Sequence, residues 1–554
     1  MNHEILTNEL NEATKELISK VELMEKEINK KDEQLSSKEE EINNHKKEID
    51  QLKKEIEFLK GIISNKNRKM FGSSSEKVDE NQLSLFNEPE KHSDSKVDEP
   101  TLEEITYKRA KKSNYTGKKD NIETLERVII EHKLEDSDLN CKECGEELVE
   151  IGVKSKKEII KYIPAKLIVE EHVIYSYACK SCEKEDGESK IVSAEAPRTI
   201  FYNSMASNEL IAHALTLKYQ HAIPLYRQEN YFDMMGARLS RQTLCNWTMS
   251  AAEALKPIYN HMKKELLNRN YIHADETTLK VINDNGKDSK SKKYMWLYMS
   301  NTHSKPVILY DYQSTRSSSC PKNFLGDFNG FLQTDGYNGY NSVNKATRLY
   351  CLAHIRRYFH NIIVDLDEEA LKNSRAVLGF NYCEQIYKLE KELREAYSSK
   401  ENYYDIRFKV RNEKLTLIID NFISYVEQEI KDALPRSPLG KALDYAKKHL
   451  PGLRNVLLDG SLEVDNNAAE RAIKPFVIGR KNFLFANTAK GATSSANIYS
   501  IVETAKANKL VIERYFVYLF DNLSKIDISD SESLENLMPW SNKIPENMKI
   551  KDRK

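Results

Sequence analysis

Tyr271-Ile-His-Ala-Asp-Glu-Thr-Thr-Leu-Lys-Val-Ile282 and Gly330-Phe-Leu-Gln-Thr-Asp335 decide how this chain is read. Both are short runs of β-branched, aromatic and aliphatic residues bounded by polar loops, which is strand composition. The first carries Asp275 inside the run and the second ends on Asp335. Between them, Tyr294 to Met299 and Pro306 to Tyr312 read as two more strands, and the polar piece before Gly330 as partly helical. An acid on a first strand is therefore followed, three strands later, by an acid at a strand end. Taken singly, either is an ordinary turn or strand-end acid, and Asp335 precedes glycine, a common turn pair.

That order is the one expected of a ribonuclease H-like sheet, in which those two strands lie side by side and both carboxylates reach one end. A third acid should come from a helix packed beside that end. Val464-Asp-Asn-Asn-Ala-Ala-Glu-Arg-Ala-Ile-Lys-Pro475 offers Glu470, with Glu463 and Glu503 as competitors. Asn467 and Glu470 also stand at capping-box spacing, which gives Glu470 a purely structural alternative. Downstream, Arg471, Lys474, Arg480, Lys481 and Lys490 fall in a stretch with no acid from Arg471 to Val502. Ile478-Gly-Arg-Lys-Asn-Phe-Leu-Phe485 interleaves bases with aromatics, which suits phosphate contact and base stacking. The competing reading is a solvated basic face.

Upstream, Ala206 to Leu255 reads as helical. Pro224 suits a first helical turn. A break at Gly236 is followed by Ser240 as N-cap, and Leu244, Trp247, Ala251 and Leu255 share one face. Two helices around a glycine-containing turn have a helix-turn-helix outline, with Arg241, Gln242 and Asn246 facing outward, residue types that read base edges. Most helix pairs are simply core, so the alternative is packing alone. Further back, Cys141-Lys-Glu-Cys144 and Cys179-Lys-Ser-Cys182 form two matched knuckles. Four soft ligands satisfy one tetrahedral Zn2+, and a site filled by protein is structural. The long separation calls for a β-hairpin between the pairs, with strand character from Lys166 to Tyr177.

From Leu17 to Ile63 apolar residues step by four and three. In one heptad frame Val21, Ile28, Leu35, Ile42, Ile49, Ile56 and Ile63 take the a positions. Leu17, Met24, Lys31, Lys38, His45, Leu52 and Leu59 take d, so 11 of 14 fit. Isoleucine-rich a positions favour a parallel two-stranded coil, weak in its middle where three polar d residues run together. From Gly72 to about Glu126 the pattern gives way to linker composition, with a basic run of Lys108, Arg109, Lys111, Lys112, Lys118 and Lys119.

The chain has 554 residues, enough for three to five units, with 40% hydrophobic and 31% charged residues. The formal net charge of −1 lacks the overall basic balance of a nucleic-acid binder, so DNA contact must come from local patches. There is no apolar run of 18 residues and no positive-then-apolar leader, so neither a membrane span nor a secretory signal is expected and the chain reads as cytoplasmic.

His273-Ala-Asp-Glu-Thr277, Gln333-Thr-Asp-Gly-Tyr-Asn-Gly-Tyr340, Cys351-Leu-Ala-His-Ile-Arg-Arg357, Asp465-Asn-Asn-Ala-Ala-Glu-Arg471, Gly479-Arg-Lys-Asn482 and Glu503-Thr-Ala-Lys506 together resemble the insertion-sequence-66 family of transposases. Arg68-Lys-Met-Phe-Gly-Ser-Ser-Ser-Glu76, Pro224-Leu-Tyr-Arg-Gln228, Leu537-Met-Pro-Trp540 and the double knuckle extend the resemblance from about residue 60 to 540. It implies an Asp-Asp-Glu transposase in which Asp275, Asp335 and Glu470 hold Mg2+ or Mn2+, two ions in number. It also implies a mostly helical insertion in the 134 residues between Asp335 and Glu470. Arg356 to Leu450 reads as helical, in agreement. Water would free a 3′-OH at the element end, which then attacks target DNA. His273 and Glu276 would position groups, and His354, Arg356 and Arg357 would touch DNA, as would Arg471, Lys474, Arg480 and Lys481.

The expected architecture is multidomain α/β: coiled coil (1–70), linker (71–126), zinc-binding domain (127–195), helix-turn-helix-like DNA-binding domain (196–265), ribonuclease H-like core (266–345 and 455–515), helical insertion (346–454) and C-terminal tail (516–554). The expected partners are element ends with inverted repeats, target DNA, a second copy through the coil and helper proteins of the same element, with no membrane. Two other classes fit parts of this pattern: a non-catalytic zinc-containing coiled-coil DNA-binding accessory protein, and a ribonuclease H-like nuclease without strand transfer.

Overall fold

A computed structural model describes residues 204–284, 292–300, 305–364 and 366–550, together with parts of the stretches 15–52 and 128–201. Residues 34–49 are helical, with Leu35, Ile42 and Ile49 of the heptad seam exposed. The linker with its basic run lies outside the described residues. So do Cys141, Cys144 and Cys182. Strands β1 (Ser176–Cys179) and β2 (Lys190–Ser193) pair antiparallel, with Cys179 opposite Lys190. Residues 165–175 carry no strand. The hairpin's two strands stand on either side of Cys182, and most of the gap between the two Cys pairs, where a hairpin was expected, lies outside the described residues.

Four helices follow: α1 (Asn208–Tyr219), α2 (Leu225–Met234), α3 (Arg241–Ala254) and α4 (Lys256–Leu267). Pro224 is the N-cap residue of α2. Gly236 turns the chain at φ +91°, a conformation that costs a side-chain-bearing residue strain. Ser240 then caps α3 by accepting the Thr243 N–H at 3.1 Å. Leu244, Trp247, Ala251 and Leu255 are buried, as their common face requires.

The central sheet has the order β6-β5-β3-β7-β8. Its strands are β3 (Tyr271–Leu279), β5 (Lys293–Ser300), β6 (Val307–Gln313), β7 (Phe331–Thr334) and β8 (Thr347–Tyr350), with α5 (Ser319–Leu325) between β6 and β7. β5 runs antiparallel to β3 and β6, whereas β3, β7 and β8 are parallel. The short β4 (Val281–Asn283) pairs with β9 (Ala486–Thr488).

After β8 the chain leaves the sheet for α6 (Leu352–Ile363), α7 (Glu368–Asn373), α8 (Ala376–Tyr397), α9 (Tyr403–Val410), α10 (Thr416–Asp432) and α11 (Pro438–Leu453). This insertion has its own hydrophobic core around Phe359, Ile386, Phe422 and Leu443. It returns through α12 (Asn467–Phe483) and α13 (Ala489–Ala507) to the sheet. β6 is an edge strand, whose free backbone groups would invite pairing. α13 covers them: Ser500 Oγ accepts the Tyr310 N–H at 2.7 Å and Thr504 Oγ1 accepts that of Ile308 at 3.0 Å.

The segment expected to be a tail is packed structure. α14 (Ile512–Leu523) and α15 (Ser531–Leu537) bury Tyr515, Phe516, Leu519, Phe520 and Leu537 in the same core as the sheet and α1 to α4. The helix pair expected to stand as a separate DNA-binding domain thus shares its core with the sheet. No helix among the described residues is long and apolar enough to cross a membrane.

Candidate active site

β3 and β7 pair in parallel with Tyr271 opposite Phe331, Ile272 opposite Leu332 and His273 opposite Gln333. The same register carried two residues on sets Asp275 opposite Asp335. The first acid still lies inside β3, tied to β5 opposite Leu297. The second lies one residue past the end of β7, where Asp335 Oδ1 accepts the Tyr337 N–H at 2.9 Å. Arg348 on β8 donates to the Asp335 carbonyl at 3.0 Å and to Thr334 Oγ1, fixing this strand end. Arg348 carried no sequence signal.

α12 is docked on the face of β3 that carries Asp275. Its N-cap residue, Asn466, is buried and makes no capping side-chain bond. Its amide instead donates to the Ala274 carbonyl at 2.9 Å, and its Oδ1 accepts His273 Nδ1–H at 3.0 Å. Asp465 takes over part of the capping, accepting the Asn467 N–H at 3.1 Å. The capping-box alternative for Glu470 therefore fails, because the cap is one residue earlier than its spacing assumed. Glu470 is one of the first-turn residues of α12, and its carboxylate is 31% exposed.

The electrostatics separate the three competing glutamates. Burial pushes the Asp275 carboxyl well above the usual carboxylate range, and the charges of Glu276, Asp335 and Glu470 push it further. Asp335 and Glu470 thus both stand within electrostatic reach of Asp275. Glu463 is spent on Arg407, with contacts of 2.9 and 3.0 Å. Glu503 lies on α13 beside the opposite edge of the sheet and pairs with Lys506 at 2.9 Å. Glu276 alternates to the other face of β3. There its side chain is 2% exposed, ion-paired with Arg316 and bonded by Tyr340 Oη at 2.6 Å. His273 supports the α12 junction, and its Nε2 has no hydrogen-bond partner.

The basic residues divide. Arg471, Lys474 and Lys481 are exposed along one side of α12, and Arg357 is exposed on α6. Arg480 turns inward to Thr277 Oγ1 at 3.1 Å and to the Thr278 carbonyl, holding α12 to β3. Arg356 is taken up by Glu384 and lies 4.8 Å over the Phe380 ring. On α3, Arg241, Gln242 and Asn246 are all exposed, and Gln242 Nε2 donates to Asn246 Oδ1 at 3.0 Å. His354 is three-quarters covered, and burial holds its imidazole below the usual histidine range.

Sequence reasoning missed how much of the insertion holds this site. Arg411, fully buried, bonds Glu390 and the carbonyls of Val456, Asp459 and Leu462. Arg407 bonds Glu390, Glu463 and the Gly460 carbonyl. Tyr387 on α8 donates to Asp465 at 3.0 Å. These residues anchor the loop that leads directly into α12. An arginine inside a helical, charged stretch reads as surface unless its buried partners are known.

The profile of the zinc-finger binding domain of transposase IS66 matches residues 138–183, spanning all four knuckle cysteines, and supports structural zinc there. A profile described as Transposase C of IS166 homeodomain matches residues 59–130, across the stretch read as a linker. The profile of the Transposase IS66 family matches residues 203–494, which include β3, β7 and α12. The class is that of the transposases, and within it the chain belongs to the IS66 family. It is similar to "Uncharacterized protein y4jD" of Sinorhizobium fredii, at 29% identity over 422 residues, covering 72% of this chain and 78% of that protein. It is also similar to "Uncharacterized protein y4qI" of the same organism, at 27% identity over 415 residues and 72% of each chain. No solved structure matches it.

Proposed function

We propose that this chain is an Asp-Asp-Glu transposase on a ribonuclease H-like core, cutting DNA at element ends and joining the freed 3′ ends to target DNA. The observation that carries this reading is the equal register of Asp275 and Asp335 on paired parallel strands, with Glu470 brought within electrostatic reach of Asp275 by α12. Strand order supports the core assignment. Leaving out β4, the five strands lie in the order third, second, first, fourth, fifth, with the second antiparallel to its neighbours.

Three carboxylates, with Asp335 and Glu470 near enough to raise the buried Asp275 further, suit a hard divalent cation through oxygen ligands. Asp275, Asp335 and Glu470 would hold Mg2+ or Mn2+, two ions in number. When bound, such ions activate the attacking oxygen and stabilise the leaving oxygen of an in-line displacement. The chain's own residues do the rest. Arg348 and the Tyr337 N–H fix Asp335, Asn466 fixes the start of the Glu470 helix, and Arg471, Lys474 and Lys481 offer phosphate contacts beside the acids. Arg241, Gln242 and Asn246 present polar groups suited to base edges on α3. The heptad helix brings two copies together.

The test uses purified full-length protein and DNA carrying an element end. Nicked ends and joined molecules should form with Mg2+ or Mn2+ and stop with chelator. DNA binding without any metal-dependent product would make this an accessory protein instead, and cutting without joining would make it a nuclease.

A further inference from the structure

Cys351, His354 and Glu470 each offer a ligand atom, and these atoms all lie within 4.8 Å of one another. Cys351 is the N-cap residue of α6 and His354 stands three residues on, so one helical turn brings thiol and imidazole to the same side. Glu470 comes from the first turn of α12. His354 Nδ1 and Glu470 Oε1 stand 3.9 Å apart, both are shielded from solvent, and neither has a hydrogen-bond partner. Two buried polar atoms left facing each other in this way are costly unless something comes between them. Cys351 Sγ accepts the Asn466 N–H at 3.1 Å and still has a lone pair to give.

We propose that Cys351, His354 and Glu470 form a separate site for a thiophilic divalent cation, Zn2+ above all, which draws Glu470 away from Asp275 and Asp335 and so switches the enzyme off. The donor set is the argument. Sulfur and imidazole nitrogen with one carboxylate select zinc, whereas Mg2+ prefers oxygen alone, so the two sites divide the cations by ligand softness. The geometry is close. Bonds of about 2.0–2.3 Å to a tetrahedral ion set its donors roughly 3.3–3.8 Å apart, so about an ångström of side-chain closure completes three ligands and leaves the fourth position for water. Glu470 belongs to both donor sets, so the two occupancies exclude each other. The inhibitory consequence rests on the role of Glu470 proposed above. The binding itself does not.

The experiment uses the full chain with its zinc finger already loaded. A competing chromogenic chelator should report one further zinc equivalent in the wild type, and His354→Ala should lose it. Zinc added to the Mg2+-driven cutting reaction should inhibit the wild type. In Cys351→Ser the inhibition should need at least about tenfold more zinc. Basal activity should be kept in that variant, because the serine hydroxyl can accept the same Asn466 N–H. No further equivalent in the wild type overturns the proposal without need of any variant. Identical zinc inhibition of wild type and Cys351→Ser also overturns it. If the further equivalent binds but no Mg2+-dependent cutting exists to inhibit, the zinc site stands and the catalytic reading fails.

Discussion

Arg411→Lys tests whether the insertion sets the active site or merely decorates it. The Arg411 guanidinium makes five bonds: Nε and Nη2 to the two Glu390 oxygens at 2.8 and 3.0 Å, Nη1 to the Val456 and Asp459 carbonyls at 3.2 and 3.3 Å, and Nη2 to the Leu462 carbonyl at 2.8 Å. A lysine keeps the positive charge, so Glu390 is not left unpaired, and Arg407 still binds it at 2.6 and 2.9 Å. The ammonium has three donors at one point and cannot span the carboxylate and three carbonyls. At least two bonds are lost in a site closed to water, at about 1–2 kcal/mol each, so the expected loss of stability is about 2–4 kcal/mol. Urea unfolding of the full chain measures it. The functional consequence follows from position, since the three carbonyls belong to the loop that leads into α12. At a temperature where the variant is fully folded, the cutting rate should fall about tenfold or more, with a higher Mg2+ concentration at half-maximal rate and DNA affinity unchanged. A less stable variant that cuts normally at unchanged Mg2+ would refute the argument, because the loop would then hold the insertion alone. Unaltered stability would refute it earlier.

Asp335→Asn should abolish both cutting and joining while leaving DNA binding intact, read by gel shift and product analysis, because it removes a carboxylate charge and keeps the shape. Glu470→Gln should do the same, while Glu503→Gln should still cut. A Glu470→Gln protein that transposes normally removes it from the site. Asp275→Asn should raise stability in metal-free buffer at alkaline pH. The folded-state carboxyl is raised by burial and by neighbouring acids, so the folded form binds the proton more tightly and the wild type loses stability as pH rises past the unfolded value. Thermal melts across pH would show the two proteins converging in acid. The isolated heptad segment, residues 15–65, should sediment as a dimer and lose helicity on dilution, and a monomeric helix at high concentration would refute the pairing.

The strands were legible because strand composition and spacing are local. The runs at Tyr271 and Gly330 became β3 and β7, and their side-by-side pairing followed from the order of acids alone. Ser240 and Gly236 were legible for the same reason, since caps and turns are written in one or two residues. What escaped was non-local. Arg480 and Arg356 were read as DNA contacts, and nothing in sequence showed that they also bond the Thr278 carbonyl and Glu384. The segment 516–554 read as a C-terminal tail, yet Phe516, Leu519 and Phe520 lie in the sheet's own core. The third acid was ambiguous in sequence because three glutamates of one type competed. It was narrowed by what the other two are bonded to, Arg407 for Glu463 and Lys506 for Glu503.

The placing of a helical insertion between the second and third acids then has a physical reason. β7 stops at Thr334, so the sheet ladder ends one residue short of Asp335, and a strand end is free to move unless something else grips it. The insertion supplies that grip. Gly336 lies so close to α11 that a Cβ would come within 2.6 Å of Tyr445 Oη and 2.7 Å of His449 Nε2, so both side chains stand against its backbone. The same helical body, through Arg407, Arg411 and Tyr387, grips the loop that delivers Glu470. Asp275 is held by the sheet alone, through its register with β5. Two of the three carboxylates are therefore gripped from the insertion, whose core lies around Phe422 and Leu443, as well as from the sheet. A cavity cut into that core, such as Phe422→Ala, should therefore cost metal-dependent cutting as well as the roughly 3–5 kcal/mol expected of a large buried truncation. A sheet-borne triad would feel only the loss of stability.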